Sequence, residues 1–479
     1  MLDRWYELST TDLCLTSAKK LARMIASRKV SAVEVMRAFI DRIHLLNPKV
    51  NAIVTFLPEQ ALAQAKKLDR RLGKGAPTPG PLTGLPIAFK DILPTQGIRT
   101  TYGSPIYADH VPTQDHAVVE RITAAGAITI GKTNTPEFAV GSQTFNEVFG
   151  ATLNPYDLTK SCGGSSGGAA VAVACAMLPF ADGSDLGASL RNPGSACNVV
   201  GFRPTPGRVP LWPFVNAWDT LWSIGPLART VEDAALLLSV MAGPDSRSPT
   251  TIAEPGRMFA RPLGRDFRKT RIAWSRDLGG LPVDTRVTRV LESQRAVFES
   301  LGCIVEEAEP DLSAADEAFQ VQRALGYVEA FDGLLKANRA QFKDTLAWNI
   351  EQGLQMDASR IARANVLRTQ VFHTMREFLE RYEFLLLPVN QVPPFDVTLP
   401  YVSEINGIEL ATYFDWMKTC YYITVTSHPA ISVPAGFTDD GLPVGLQIVG
   451  RYRDDFGVLQ LAHAFEAATQ VWQRRPPSF

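Results

Sequence analysis

Two runs rich in glycine and serine, separated by an apolar segment, constrain the fold more than any other feature of this sequence. The first run is SCGGSSGGAA at residues 161–170, and the second is ADGSDLGASLRNPGSACN at residues 181–198. The segment between them, VAVACAMLPF, is apolar and carries no charged residue. A flexible linker would explain an isolated GGSSGG, but it poorly explains two such runs around a segment suited to burial. The linker interpretation is therefore weak.

The composition indicates an ordinary globular protein that acts without nucleic acid or membrane. The 479 residues are 46% hydrophobic and 20% charged, with a formal net charge of -1, so there is no basic excess to neutralise phosphates. Apolar stretches are interrupted before the ~20 residues that a membrane span needs. The first residues lack the apolar core and cleavage site of a signal peptide. We expect a cytoplasmic protein, a monomer or homodimer.

The six cysteines predict neither a disulfide framework nor a metal site. No two of them have the CxxC spacing or another spacing typical of metal ligands, and a chain of this length does not need disulfides to fold. Cys162 and Cys197 flank the glycine and serine runs, but no histidine is close to either in sequence. Buried small residues are the simpler interpretation. We expect no cofactor and no metal.

Hydrophobic periodicity predicts one interrupted α/β domain that spans residues 1–479. Residues 1–75 read as an N-terminal helical layer, with apolar residues at helical spacing up to about Ala65. Residues 85–134 read as strand, helix and strand, which favours parallel pairing. Strand patterns recur on both sides of a charged helical tract at residues 314–382, so we interpret this tract as a helical cover inserted in the domain.

Two kinds of chemistry compete for the glycine and serine runs. A phosphate loop of the form GxxxxGK[ST] is disfavoured because Ala169 and Ala170 follow Gly168. Nucleophilic catalysis fits better, because Ser189 ends a small-residue turn whose N–H groups could converge on one oxygen. His110 and His428 are in predicted loops, but no G-x-S-x-G elbow accompanies them, so a Ser-His-Asp triad is possible but not indicated. Lys90, after an apolar strand, is the other candidate base, although pairing with Asp91 is the simpler interpretation of it.

The order of several motifs resembles the amidase signature family. The motifs are GLPIAFKD, GAITIGKTNTPEFAVGS, CGGSSGGAA, GSDLGASLRNP and GFRPTPGRV, followed by IGPLARTVEDAALLL and HPAISVPAGFTDDGLPVGLQIVG. The resemblance runs from about residue 17 to the C-terminus and is densest from Leu85 to Val209. It implies an α/β fold with a mixed, largely parallel central sheet covered by helices on both faces.

The resemblance also implies amide hydrolysis by two serines and a lysine, carried over position by position. Ser189 matches the nucleophile, Ser165 matches a bridging serine held by a cis peptide bond, and Lys90 matches the base. The other matching positions are Leu186, Gly187, Ala188 and Ser189 for backbone N–H groups around the oxyanion, Asp185 and Arg191 as supporting residues, and Gly141 and Ser142 along the substrate pocket. The sequence departs from the family pattern at Ala188, Cys162 and Asn198, which removes no reacting group.

Three functions remain open at this point. The first is a hydrolase of C–N bonds in aryl or alkyl amides, and in aryl or alkyl carbamates (a urethanase), since the chain is similar to soluble bacterial amidases. The apolar residues of LWPFVNAWDTLW and of the helical tract indicate a roomy apolar pocket. The second function is a glutamine-hydrolysing subunit of a tRNA amidotransferase. The third is a binding protein without catalysis.

Overall fold

The structure, a computed structural model, describes residues 10–477. Its α-helices are α1 (Thr10–Leu15), α2 (Ala18–Ala26), α3 (Ala32–Val50), α4 (Pro58–Gly73), α5 (Ala117–Ala124), α6 (Gly167–Ala174), α7 (Arg191–Ala196), α8 (Val231–Met241), α9 (Thr285–Glu292), α10 (Arg295–Ser300), α11 (Ala315–Asn338), α12 (Asp344–Leu354), α13 (Ala358–Arg381), α14 (Lys418–Val425) and α15 (Asp455–Thr469). No helix in this part of the chain is long and apolar enough to cross a bilayer.

The β-strands provide one large sheet and three small ones. They are β1 (Ile53–Phe56), β2 (Pro86–Lys90), β3 (Ile128–Thr133), β4 (Leu153–Asn154), β5 (Asp157–Ser161), β6 (Phe180–Asp185), β7 (Val200–Arg203), β8 (Ser223–Ala228), β9 (Arg271–Trp274), β10 (Ile304–Glu307), β11 (Phe384–Pro388), β12 (Glu404–Ile405), β13 (Ile408–Glu409), β14 (Ala430–Phe437) and β15 (Pro443–Gly450). The large sheet has eight strands in the order β10-β9-β11-β15-β14-β7-β8-β6.

The large sheet is mixed, as the sequence predicts, but it is not largely parallel. Strands β10, β9 and β11 pair in parallel, whereas every pairing from β11 to β6 along the sheet is antiparallel. The prediction of a largely parallel sheet is therefore wrong. The physical reason is that strands joined by a short turn pair antiparallel, because antiparallel strands need no crossover. Strands β14 and β15 form such a hairpin, across a turn in which Gly441 has a φ of +83°.

Residues 85–134 form the predicted strand, helix and strand with parallel pairing. Strand β2 pairs in parallel with β3, which places Lys90 opposite Thr133. The N-terminal layer differs from its prediction in one respect, because strand β1 lies within it and pairs antiparallel with β3. Helix α3 ends at Val50, and the left-handed φ of 52° at the next residue, Asn51, turns the chain into this strand. Residues 1–9 of that layer lie outside the described residues.

Helices cover both faces of the large sheet, which confirms that part of the prediction. Alternate side chains of β11 separate into two buried clusters, with Phe384 and Leu386 in one and Leu385 and Leu387 in the other, as the two-residue period of a strand requires. The first cluster includes side chains of α3, α8 and α15. The second includes side chains of α11, α12, α13 and α14. The segment 314–382 contains three of these helices, α11, α12 and α13.

Three chain segments converge where β2 and β6 lie side by side. The backbone N–H of Lys90 donates to the carboxylate of Asp182 on β6 at 3.3 Å. Helix α6 begins beside them, and a Cβ atom added at Gly183 would lie 2.7 Å from Ser166 Oγ. Because no larger residue fits at that position, the loop before α6 packs directly on β6. The two glycine and serine runs are thereby brought against the end of β2.

Candidate active site

The side chain of Lys90 ends in a buried cluster of hydroxyl groups. Lys90 is the last residue of β2 and is fully buried. Its Nζ atom hydrogen bonds to Ser165 Oγ at 2.7 Å, to Ser166 Oγ at 2.9 Å and to Ser184 Oγ at 2.9 Å. An ammonium group has three donors, so these hydroxyls satisfy it completely. The structure thus joins Lys90 to both glycine and serine runs.

Burial controls the charge of Lys90. Loss of solvation lowers its pKa to about 7, although the carboxylates of Asp182 and Asp185 act in the opposite direction. Among residues 10–477, no carboxylate oxygen lies within 4 Å of Lys90 Nζ, and the Asp91 carboxylate instead accepts hydrogen bonds from Thr101. Pairing of Lys90 with Asp91 is therefore not its role. A lysine with this pKa is substantially neutral near pH 7 and can accept a proton.

The loop that carries Ser165 is held by side chains on both sides. The peptide bond between Gly164 and Ser165 is cis. Gly163 has a φ of +73°, and a Cβ atom there would lie 2.3 Å from Asn192 Oδ1, which also accepts the N–H of Gly164 at 3.0 Å. Thr144 Oγ1 donates to the carbonyl oxygen of Gly163 at 2.9 Å. These contacts explain why glycines precede the serine.

Ser189 lies in the loop after β6 and remains accessible. The residue is 9% exposed, whereas Ser165 and Ser166 are buried almost completely. The carbonyl oxygen of Ser189 accepts the backbone N–H of Ser166 at 3.2 Å, which ties the two serine loops together. In the part of the chain that the structure describes, the Ser189 hydroxyl makes no hydrogen bond. Of the serines in the two loops, Ser189 has the hydroxyl that is best placed to meet a substrate.

The carbonyl oxygens of residues 187–190 accept hydrogen bonds, whereas the N–H groups of residues 186–189 have no acceptor in the described part of the chain. Gly187 O accepts from Arg191 Nη2 at 2.9 Å and from Thr424 Oγ1 at 3.1 Å, and Ala188 O accepts the N–H of Asn192 at 2.7 Å. Four consecutive backbone N–H groups find no acceptor among residues 10–477, namely those of Leu186, Gly187, Ala188 and Ser189. A run of free donors beside an accessible hydroxyl is suited to binding an oxyanion.

Asp185 and Arg191 fix this loop through a buried ion pair. Arg191 Nη2 lies 3.0 Å from Asp185 Oδ1, and both side chains are fully buried. Asp185 Oδ2 also accepts the N–H of Leu190 at 3.1 Å. Burial alone would raise the pKa of Asp185, but the guanidinium groups of Arg191 and Arg203 hold it below its usual value. Asp185 is therefore a permanent anion at the base of the loop, as a supporting role requires.

The segment with Gly141 and Ser142 lies against the Ser165 loop. A Cβ atom added at Gly164 would lie 3.0 Å from the carbonyl carbon of Ser142, so the two loops touch through their backbones. Gly141 has a φ of +105° and faces Lys343 Nζ across 3.5 Å, measured from an ideal Cβ position. The structure therefore places the predicted pocket residues next to Ser165. It also adds Lys343, a residue that the sequence motifs do not indicate.

A cavity of about 680 Å³ opens beside Leu186. Its lining is mostly apolar and includes residues of both segments that the sequence associates with a pocket, together with residues from 92–116, Phe138 and Leu186. The lining side chains include Phe138, Leu186, Phe214, Trp222, Tyr327 and Phe331. Two carboxylates, those of Asp219 and Glu329, also line it. A cavity of this size and character accommodates an aromatic or alkyl group of substantial length.

Sequence reasoning identified the residues that the structure brings together, and it missed three of their neighbours. Ser166 and Ser184 hydrogen bond to Lys90. They were missed because the family motifs assign roles to the adjacent residues, Ser165 and Asp185. Asp182 was missed although it begins the motif DGSD. A charged residue inside a predicted strand is an available signal, because such a residue is rarely buried without a partner.

Comparison with known proteins gives a consistent result. The Amidase family model matches residues 34–459. The chain is 37% identical to an acylamidase from Rhodococcus erythropolis, covering 96% of this chain and 97% of that protein. It is also 37% identical to one of the subunits of the glutamyl-tRNA(Gln) amidotransferase from Geobacillus kaustophilus, covering 96% and 98% of the two chains.

The solved structures agree with the sequence relatives. A bacterial aryl acylamidase of the amidase signature family superposes with a TM-score of 0.90 at 30% identity, over 95% of this chain and 97% of that one. The family model covers most of the chain, and the relatives and this superposition cover nearly all of it. The chain therefore belongs to the amidase signature family of C–N hydrolases.

Proposed function

We propose that this protein is a stand-alone amidase that cleaves aryl and alkyl amides, and aryl carbamates, through an acyl-enzyme on Ser189. The observation that carries the proposal is the 2.7 Å contact between Lys90 Nζ and Ser165 Oγ, next to an accessible Ser189. A buried lysine with a pKa near 7 is an effective base, and a serine between it and the nucleophile can pass on a proton.

The first half of the reaction forms the acyl-enzyme. Neutral Lys90 takes the proton of Ser165 as Ser165 takes the proton of Ser189, and Ser189 Oγ attacks the carbonyl carbon. The free N–H groups of the Ser189 loop stabilise the oxyanion. When the intermediate collapses, the C–N bond breaks, and the proton returns along the same path to the leaving nitrogen. The amine departs, and the acyl group stays on Ser189.

The second half releases the acyl group with water. Lys90 and Ser165 accept the proton of a water molecule that attacks the ester carbonyl, and then protonate Ser189 Oγ as it leaves. An amide gives a carboxylic acid, and a carbamate gives a carbonate half-ester. Both substrate classes have a carbonyl carbon that bears the leaving amine, and a carbamate differs in the oxygen substituent on the other side of that carbon. The large apolar cavity favours substrates with an aromatic or long alkyl group.

Hydrolysis of glutamine in an amidotransferase is the second candidate. The 37% identity to the Geobacillus kaustophilus protein favours it as much as the 37% identity to the acylamidase favours the first. The cavity argues against it, because glutamine is small and polar and would leave much of this apolar space unfilled. A binding protein without catalysis is the least favoured, since the buried base and two serines would have no use in it.

The test is amine release from an anilide, an aliphatic amide, an aryl carbamate and glutamine by the purified chain. We expect turnover of the anilide and the aryl carbamate, and loss of turnover in Ser189→Ala. Ser195→Ala is the matched control, because Ser195 is a buried serine of α7 whose hydroxyl accepts the N–H of Gly445 away from Lys90. Turnover of glutamine alone would favour the amidotransferase function, and turnover that survives Ser189→Ala would overturn the proposal.

A further inference from the structure

Asp182 is a buried carboxylate that the proposed reaction does not use. It lies in the middle of β6 and is fully buried. Among residues 10–477, its carboxylate has no ion pair within 4 Å, and the hydrogen bonds that it accepts from another residue come from the backbone N–H of Lys90, at 3.3 Å to each oxygen. Burying an anion with such weak partners is costly. The residue therefore calls for a functional explanation.

A second buried lysine acts electrostatically on Asp182. Lys132 of β3 is fully buried and pairs across the sheet with Phe89, the residue before Lys90. Its Nζ atom donates to Leu93 O at 2.6 Å and to Thr95 Oγ1 at 2.8 Å, which are both uncharged. Successive residues of a strand point to opposite faces, so the two lysine side chains diverge. Asp182 interacts electrostatically with both of them.

The ionisable residues around Asp182 and Lys90 come from several elements that pack together. They are Lys90 and Asp91 at the end of β2, Lys132 on β3, Asp182 and Asp185 on β6, Arg191 on α7 and Arg203 on β7, with Arg99, Asp115 and His116 in the loop before α5. The first seven are buried almost completely. Their three carboxylates balance Lys132 and the two arginines, so a protonated Lys90 is the surplus cation.

We infer that Asp182 is a positioning residue that controls the protonation of Lys90, the base of the proposed mechanism. Its carboxylate accepts the backbone N–H of Lys90. Burial raises the pKa of Asp182 to about 6, so above that pH it places a negative charge beside a lysine that burial pushes toward the neutral state. The inference rests on the proposed function in one respect, since it takes Lys90 to be the base. Asp182 itself touches no reacting atom.

The expected effect has a definite sign. A nearby carboxylate stabilises the ammonium form of a lysine. The carboxylate of Asp182 acts on Lys90 in this way and raises its pKa, against the larger effect of burial. Removal of that charge makes Lys90 neutral at lower pH, so the pH at which Ser189 becomes reactive moves down. Asp182→Asn removes the charge and keeps an oxygen that can accept the N–H of Lys90. A purely structural role for Asp182 would leave the pH profile of this variant unchanged.

The experiment measures the rate at which an alkyl fluorophosphonate modifies Ser189, from about pH 5.5 to 9.5. This reaction needs the activated serine but no knowledge of the natural substrate. We expect the midpoint of the acid limb to fall by about 1 pH unit in Asp182→Asn. Asp182→Ser, which also lacks the charge and keeps an acceptor, provides the same test if the asparagine variant does not fold.

Asp91→Asn is the matched control. Asp91 is also buried and interacts with Lys132, but its carboxylate accepts a hydrogen bond from Thr101 and does not act on Lys90. We therefore expect the acid limb of the Asp91→Asn variant to match that of the wild type. An unmoved limb in a folded Asp182 variant would overturn the inference, as would an equal shift in Asp91→Asn. Absence of labelling in the wild type at every pH would instead overturn the proposed function.

Discussion

The backbone N–H of Ser166 donates to the carbonyl oxygen of Ser189 at 3.2 Å, and this bond connects the two loops of the active site. One loop presents Ser165 to Lys90, and the other carries Ser189 three residues after Leu186, which lines the cavity. Because Ser166 Oγ also bonds Lys90 Nζ at 2.9 Å, a single residue spans the base and the nucleophile loop. The relative placement of the three reacting groups therefore depends on backbone geometry as much as on their side chains.

The three hydroxyl groups around Lys90 make unequal contributions to the rate. We expect Ser165→Ala to lower kcat/KM by about 10³-fold, because it removes the proton relay as well as a hydrogen bond. Ser184→Ala and Ser166→Ala each remove a hydrogen bond of 2.9 Å to Lys90 Nζ, and Ser166→Ala also removes two weaker contacts with the backbone of Ser184. Each should cost about 10-fold. Steady-state hydrolysis of one anilide by the three variants measures the difference. Equal losses would mean that Ser165 is only one of three ligands of the lysine.

The rate of hydrolysis should depend on the neutral form of Lys90. Burial lowers the pKa of this lysine to about 7, so the lysine is protonated below that pH and cannot accept a proton. We expect kcat/KM to fall as the pH falls through about 7, with a slope of one proton, and to be level above it. The profile of kcat/KM against pH for an uncharged anilide measures this limb, and a limb near pH 5 would exclude a lysine base.

The sequence predicted the composition of the site better than the shape of the sheet. Lys90, Ser165 and Ser189 stand in dense motifs, and the structure brings the first two into direct contact. The direction of β14 and β15 was not predicted, because hydrophobic alternation looks the same in parallel and antiparallel strands. The role of Ser184 was hidden for another reason. Its hydrogen bond joins it to Lys90, 94 positions earlier in the chain, and spacing along the chain carries no information at that range.

Glu466 should make the stability of the fold depend on pH. Burial in α15 raises the pKa of this carboxyl to about 8, and its Oε2 atom accepts the N–H of Val231 at 2.8 Å. A carboxyl whose pKa is raised on folding contributes stability below its unfolded pKa and loses it as the pH rises through the folded value. The contribution of Glu466 to the free energy of unfolding should therefore fall by about 1.4 kcal/mol per pH unit between about pH 5 and 8.

Glu466→Gln removes this dependence and keeps an acceptor for the N–H of Val231. We expect the variant to gain stability relative to the wild type as the pH rises from 5 to 8, in urea titrations at each pH. Glu232→Gln is the control, because Glu232 is a partly exposed neighbour that pairs with Lys19. A constant difference between Glu466→Gln and the wild type would show that Glu466 does not titrate in this range.

Two glycines of α11 provide a test of where the substrate binds. Gly326 lines the cavity beside Leu186, and a Cβ atom added to it would meet nothing within 4 Å. Gly333 also has open space around it, but it does not line the cavity and is exposed. Because neither position needs a glycine for its backbone, a side chain at either one should leave the helix intact.

We expect Gly326→Phe to fill part of the cavity and to raise KM for an anilide with a long acyl chain by about 10-fold or more, the effect of losing a buried apolar contact. The same variant should retain most of its activity on acetanilide, which needs less space. Gly333→Phe should change neither value, although it adds the same ring to the same helix. If Gly326→Phe left both substrates unaffected, the acyl group would lie outside the cavity, since a phenyl ring in its lining must exclude part of any ligand bound there.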